Sequence, residues 1–145
     1  MSATNLFEDD LLDLMFTNVA APNVGDAPGL PPSVGAGTWT IALHTGNTID
    51  DTSTVQTQAI AAYTGYANQT VVRSVAGWTV ASGTVTNDAL ITFPISTSGP
   101  ETETDVSLGS FGGVMQIFST LDADLVVNSG VTPEFAISAL AISLD

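Results

Sequence analysis

Alternation of apolar with small or hydroxylated residues dominates this chain, and it predicts short strands almost throughout. Residues 38–45, TWTIALHT, set Trp39, Ile41 and Leu43 against Thr38, Thr40, Ala42 and His44. That period of two predicts a strand with one core face and one polar face. Residues 64–82 carry Tyr66, Val71, Val72 and Val75 among small and polar residues, and then Gly77-Trp78 opens a second alternating segment. The stretch reads as a hairpin whose Trp78, Val80 and, from the next segment, Val85 face one way. Residues 83–87 and 89–94 supply two further strands, and Ser98-Gly99-Pro100 marks a turn. Residues 106–111 and 114–121 read as a pair about Gly112-Gly113, followed by 125–128. The closing segment 131–144 alternates Leu140, Ile142 and Leu144 with Ala141 and Ser143. Strands recurring about every ten residues predict an all-β, antiparallel β-sandwich or jelly-roll-like fold.

One segment breaks the pattern. In residues 5–18 the apolar Phe7, Leu11, Leu14 and Met15 recur at helical spacing, with Leu12, Phe16 and Val19 widening the stripe. Asn5 is placed to cap, Glu8 to close a capping box, and Asp9 and Asp10 to sit on the positive end of the helix. A helix apolar over more than half its circumference needs cover on two sides. It either closes an end of the sandwich or packs on another subunit. Residues 20–37 then gather Pro22, Pro28, Pro31 and Pro32 with Gly25, Gly29, Gly35 and Gly37, an irregular connector long enough to suggest ordering by a neighbour. The expected organisation is residues 1–37 as helix and connector and 38–145 as the β-sandwich domain, within a single compact unit. Between strands, 46–58 is a polar loop with the pair Asp50-Asp51, and 59–63 a short strand or helical turn.

A chain of 145 residues can bury roughly 70% of its unfolded surface, enough for its own core. Charge narrows the function. Fifteen acidic residues face one cationic side chain, Arg73, for a formal net charge of -14. Such a surface does not neutralise phosphates, so nucleic acid and anionic membranes are disfavoured partners. No apolar run reaches the ~18 residues of a membrane span, and no basic region precedes an apolar stretch as in a secretory signal. With 44% hydrophobic and 11% charged residues the chain is a folded acidic protein, unlike a disordered acidic tail.

Chemistry is sparse. Absence of cysteine excludes disulfides and thiolate metal sites, and His44 is the single imidazole. It lies at a strand end on the face opposite Trp39, with no nucleophile-elbow pattern anywhere, so no catalytic residue, cofactor or phosphate site is expected. Asp50-Asp51 lacks the spacing of a calcium loop and reads as solvated. Glu101, Glu103 and Asp105 alternate with Thr102 and Thr104, which puts three carboxylates on one face, expected to be a wet edge unless a divalent cation binds there. Arg73 is expected to pair with a carboxylate, either within the chain or across a subunit boundary.

Taken as an ordered whole, the segments LLDLMF, TWTIALHT, TGYANQTVVRS, GWTVASGTVTNDALITFP and GVTPEFAISALAISLD resemble small virion structural proteins of tailed bacteriophages, of the decoration or tail-fibre kind. In that family a first strand ends in Leu-His-Thr, a Gly-Tyr-Ala-Arg motif follows, and an Asn-x-x-x-Ile/Val-Thr-Phe-Pro strand comes later. The matches here are Leu43-His44-Thr45, Gly65-Tyr66-Ala67, Asn87 with Ile91 to Pro94, and Phe135 to Leu144; Asn68 stands where the family often has Arg. The resemblance implies a virion structural protein without enzymatic activity. The leading expectation is a capsid decoration or cement protein on the outer head lattice, a homo-oligomer such as a trimer, bound to the major capsid protein. The alternative is a tail or tail-fibre component, a position from which it could contact the host surface. On either reading the expected interface residues are Phe7, Leu11, Leu12, Met15, Phe16, Pro28, Pro31, Pro32 and Arg73.

Overall fold

A computed structural model describes residues 3–110 and 113–144. The fold class is the expected one: antiparallel ladders with one short N-terminal α-helix. Two compact units interleave along the sequence. The first takes the chain up to Gly37, Val72–Leu90 and the stretch from Phe135; the second takes Thr38–Val71 and Ile91–Glu134.

In the first unit the helix divides in two. Helix α1 (Asn5–Leu12) passes into a π-helical turn, Asp13–Thr17, which Asn18 ends in the left-handed region at φ 57°. The N-cap is Thr4, one residue before the expected Asn5; its hydroxyl accepts from the Phe7 N–H at 3.4 Å. The shift leaves Glu8 one place past the capping-box position, and it turns inward against Gly83. Asp9 Oδ1 accepts the Gly83 N–H at 2.6 Å. Leu12 and Phe16 are fully buried, and the Phe16 ring meets Trp78 edge-on with centroids 4.9 Å apart.

A hairpin does form, but one segment later than expected. Strand β2 (Gln69–Val72) joins the sheet ordered β2-β1-β6-β7, in which β1 is Thr38–Thr45, β6 Glu101–Gly109 and β7 Met115–Val127, whereas β3 (Trp78–Ala81) pairs with β4 (Thr84–Asn87) and belongs with β9 (Ala141–Ser143) to the sheet β3-β4-β9. The tight turn is Ser82-Gly83, both at positive φ (55° and 75°), whose twist suits a two-residue hairpin. Residues 74–77 fold into a separate turn, with the Gly77 and Trp78 N–H groups on the Ser74 carbonyl. Strand β9 (Ala141–Ser143) covers only the end of the predicted closing strand. Its approach is fixed by buried Asn87, whose Oδ1 accepts from the Leu140 N–H and whose Nδ2 donates to the Ala89 and Ala136 carbonyls, at 2.8 to 2.9 Å.

The second unit is built on β1 (Thr38–Thr45), β6 (Glu101–Gly109) and β7 (Met115–Val127). Two short strands, β5 (Ile91–Thr92) and β8 (Glu134–Phe135), form a separate pair. Strand β1 lies between β2 and β6, and it is buried on both faces from Ile41 to His44, so its second face is not the polar surface expected. Strand β6 is likewise central, so Glu103 and Asp105 are buried and the expected wet edge is overturned. On β7 the register jumps from Thr120 opposite Asp105 to Leu125 opposite Glu103, and residues 121–124 bulge from the ladder. That bulge carries exposed Asp122 and Asp124 along an edge strand, a guard against strand addition. Of the pair expected about Gly112-Gly113, Phe111 and Gly112 lie outside the described residues.

Arg73 shows why the first unit holds its helix. Its Nε donates to the Met15 carbonyl at 2.6 Å and Nη2 to the Leu14 carbonyl at 2.7 Å, with Asn18 Oδ1 at 3.3 Å. The expected carboxylate partner is replaced by the negative end of the helix, whose last carbonyls have no intrahelical donor. Arg73→Ala should therefore destabilise the chain by about 2 kcal/mol in urea unfolding, and Arg73→Lys should recover only part, because an ammonium cannot span two carbonyls as the fork does.

Candidate functional site

The chemistry-bearing residues of the second unit converge on the buried polar layer between β1, β6 and residues 46–66. His44, on β1, lies opposite Asp105 in the ladder with β6, and its backbone bridges to Ile60. Its Nδ1 is 2.8 Å from the Gln58 carbonyl and its Nε2 is 2.7 Å from Ser107 Oγ. A carbonyl only accepts, so Nδ1 carries the proton. Burial holds the imidazole below its usual value of 6.5, so the ring is neutral and Nε2 accepts from the Ser107 hydroxyl. Ser107 Oγ in turn accepts from Gln56 Nε2 at 3.1 Å, which also donates to the Thr40 carbonyl at 3.0 Å. Gln56 arrives from the loop expected to be solvated, and its amide lies where a Cβ on Gly109 would stand.

A serine hydroxyl donating to a neutral imidazole is the first step of nucleophile activation. Here both side chains are 0% exposed, and the far nitrogen of the imidazole meets a backbone carbonyl, with no carboxylate behind it. No substrate reaches the hydroxyl in this conformation. In this conformation the contact ties β1 to β6, with the polar atoms of His44 and Ser107 satisfied.

Beside it stands a second cluster. Tyr66, from the Gly65-Tyr66-Ala67 motif, accepts the Leu43 N–H at its phenol oxygen (2.9 Å) and donates to Asn68 Oδ1 (2.8 Å). Asn68 thus serves as the acceptor of that phenol. Gly65 has φ +105° and a Cβ there would stand 2.8 Å from the Ile95 carbonyl, so the motif needs glycine on two counts. The Tyr66 ring stacks on Phe93 at 6.1 Å and meets Tyr63 edge-on at 5.2 Å. Glu101 Oε1 accepts the Ala62 and Tyr63 N–H groups at 2.6 and 3.0 Å. Glu103 is 0% exposed.

The remaining candidates are scattered. Asp50 Oδ1 accepts from the Thr52 N–H and hydroxyl, which hold its carboxyl below the usual range. Among the described residues no three His, Cys, Asp or Glu side chains gather as a metal-ligand set. Of the residues expected at an interface, Leu12 and Phe16 are interior and so not available as surface; Leu11, Met15 and Arg73 are half-buried. Phe7, Pro28, Pro31 and Pro32 are exposed, near Leu6, Leu30 and Val34 in sequence. The connector is tied to its own unit: Ala21 and Leu30 exchange backbone hydrogen bonds, Asp10 holds Asn23, and Asn18 holds Ser33. Sequence reasoning missed Gln56 and Ser107; the one signal was a serine between the apolar Val106 and Leu108.

The family described as Podophage GP4 fiber I protein gp80 matches residues 2–143. No curated protein matches the chain.

His44→Ala should cost about 2–4 kcal/mol in urea unfolding, since it empties a fully buried site and takes away the acceptor of the Ser107 hydroxyl proton. The lowered imidazole also sets a pH dependence. The unfolded chain binds a proton below about pH 6.5 that the folded chain refuses, so this residue's contribution is present above that pH and is lost as pH falls. His44→Gln should flatten that acid-side loss.

Proposed function

The chain belongs to the family described as Podophage GP4 fiber I protein gp80, a phage virion structural family, and we propose that it serves in the tail fibre of its virion. The family match over nearly the whole sequence carries this reading and weighs it above attachment to a head lattice. The interior chemistry of the second unit agrees with it: His44, Ser107 and Gln56 are buried and hold strands and a loop together. In this role the first unit is the attachment region. Its exposed Leu6, Phe7, Val34 and connector prolines are apolar groups with no cover in the isolated chain, the kind of surface a permanent partner would bury. The partner is a neighbouring virion subunit or a second copy of this chain in a symmetric oligomer. The acidic surface, with a formal net charge of -14, favours docking on a less acidic protein and discourages unguided self-association.

Virions disrupted so that tails part from heads should yield this chain in the tail fraction. Recovery with the heads, at the stoichiometry of the shell, would reinstate decoration. Leu6→Asp combined with Val34→Asp should leave the unfolding free energy of the isolated protein within about 0.5 kcal/mol of wild type while sharply reducing incorporation into particles.

A further inference from the structure

Glu101 and Glu103 stand on one face of β6, two positions apart in an uninterrupted stretch of ladder opposite Val127 and Leu125. The Glu101 Oε1 holds the Ala62 and Tyr63 N–H groups and so anchors the segment that brings Tyr63 and Tyr66 over the strand. Glu103 has no donor for either carboxylate oxygen, and both oxygens are buried. An ionised carboxyl so placed is costly, and among the described residues no arginine or backbone N–H group bonds to it. With a proton of its own, Glu103 becomes a donor, and the acceptor within its reach is the Glu101 carboxylate.

We infer that half-buried Glu101 and buried Glu103 share one proton, and that this carboxyl pair fastens residues 61–66 over β6 and loosens when the proton is lost. The groups around Glu103 leave the proton as its compensation. Its ladder partners, Thr45 on β1 and Leu125 on β7, carry no charge. Tyr63 and Tyr66, on the covering segment, have phenols raised by burial and by the two glutamates, Tyr63 to about 12, so they stay neutral. Asp105, the next acid on the strand, lies past a register shift and accepts from the Thr104 hydroxyl; the β7 acids Asp122 and Asp124 are exposed. Two glutamates alone also make a poor cation site, and no third acidic or imidazole ligand joins them among the described residues.

Burial, and then the neighbouring Glu101, push the Glu103 carboxyl up from 4.5 to about 8. Above the unfolded value the unfolded chain gives up this proton while the folded chain keeps it. Stability contributed by the pair therefore declines as pH rises from about 4.5 to about 8 and is flat beyond. His44 acts in the opposite direction below about pH 6.5, so the comparison must be made between variants at each pH.

Urea unfolding of wild type, Glu103→Gln and Glu101→Gln from pH 5 to about 9.5, with hydrogen exchange at the Ala62 and Tyr63 amides, tests the inference. Glutamine at 103 donates permanently, and glutamine at 101 gives Glu103 a donor. Both variants should match wild type near pH 5 and exceed it at about pH 8.5, the unfolding constant of wild type rising relative to each by up to about tenfold per pH unit. Amide protection at Ala62 and Tyr63 should fall in wild type above about pH 8 and persist in Glu103→Gln. Stability curves that run parallel at all pH values would overturn the inference. So would a gain in wild-type stability from calcium at about pH 8.5 that Glu103→Gln does not share, since a cation would then occupy the place assigned to the proton.

Discussion

The constraint on which this structure depends is the near absence of positive charge. Fifteen acidic side chains and one arginine leave no stock of ion pairs from which to build an interior. The single guanidinium is engaged by the carbonyls that end the N-terminal helix, and among the described residues no carboxylate receives it. Buried polar groups that find partners find neutral ones: imidazole is held by serine and a carbonyl, and a strand N–H by a phenol. Where an acid takes part, as Glu101 does, its partners are backbone N–H groups. Each link depends on position more than on charge, and losing one partner strands the other in a medium where an unpaired polar group costs most.

The same constraint explains how the acids are distributed. Asp9 and Glu101 accept backbone N–H groups at the places where a turn or a loop must be held. Asp122 and Asp124 stand exposed where an edge strand bulges, the usual place for charge on an all-β protein. Glu103 is buried with no donor for either oxygen, and the simplest way to keep it there is as an acid.

Much of the fold was legible in the sequence because its cues are local. The stripe Phe7, Leu11, Leu14 and Met15 marks the helix, and TWTIALHT marks β1. What was not legible depends on pieces distant in sequence. Alternation in residues 38–45 predicts one polar face, and nothing near His44 says that Gln56 and Gln58 will cover it. Glu101, Glu103 and Asp105 read as a wet edge because local spacing does not reveal that β6 runs between two other strands. Alternation misplaces the hairpin because Val71 and Trp78 look alike as strand residues while joining different sheets, and the deciding pair, Ser82-Gly83, is short. Tyr66 was visible as a motif residue, but its acceptance of the Leu43 N–H was not, since side-chain substitution for a strand partner leaves no pattern.

Assignment to a fibre makes a quantitative demand, because fibres are built in small symmetric numbers and shells in large ones. The most direct measurement is the copy number of this chain per purified virion, set against the major capsid protein by quantitative mass spectrometry. A fibre component predicts a minor chain, present in at most dozens of copies and in a multiple of the tail's symmetry. One chain for every one to three shell subunits would contradict the assignment and return the protein to the surface of the head.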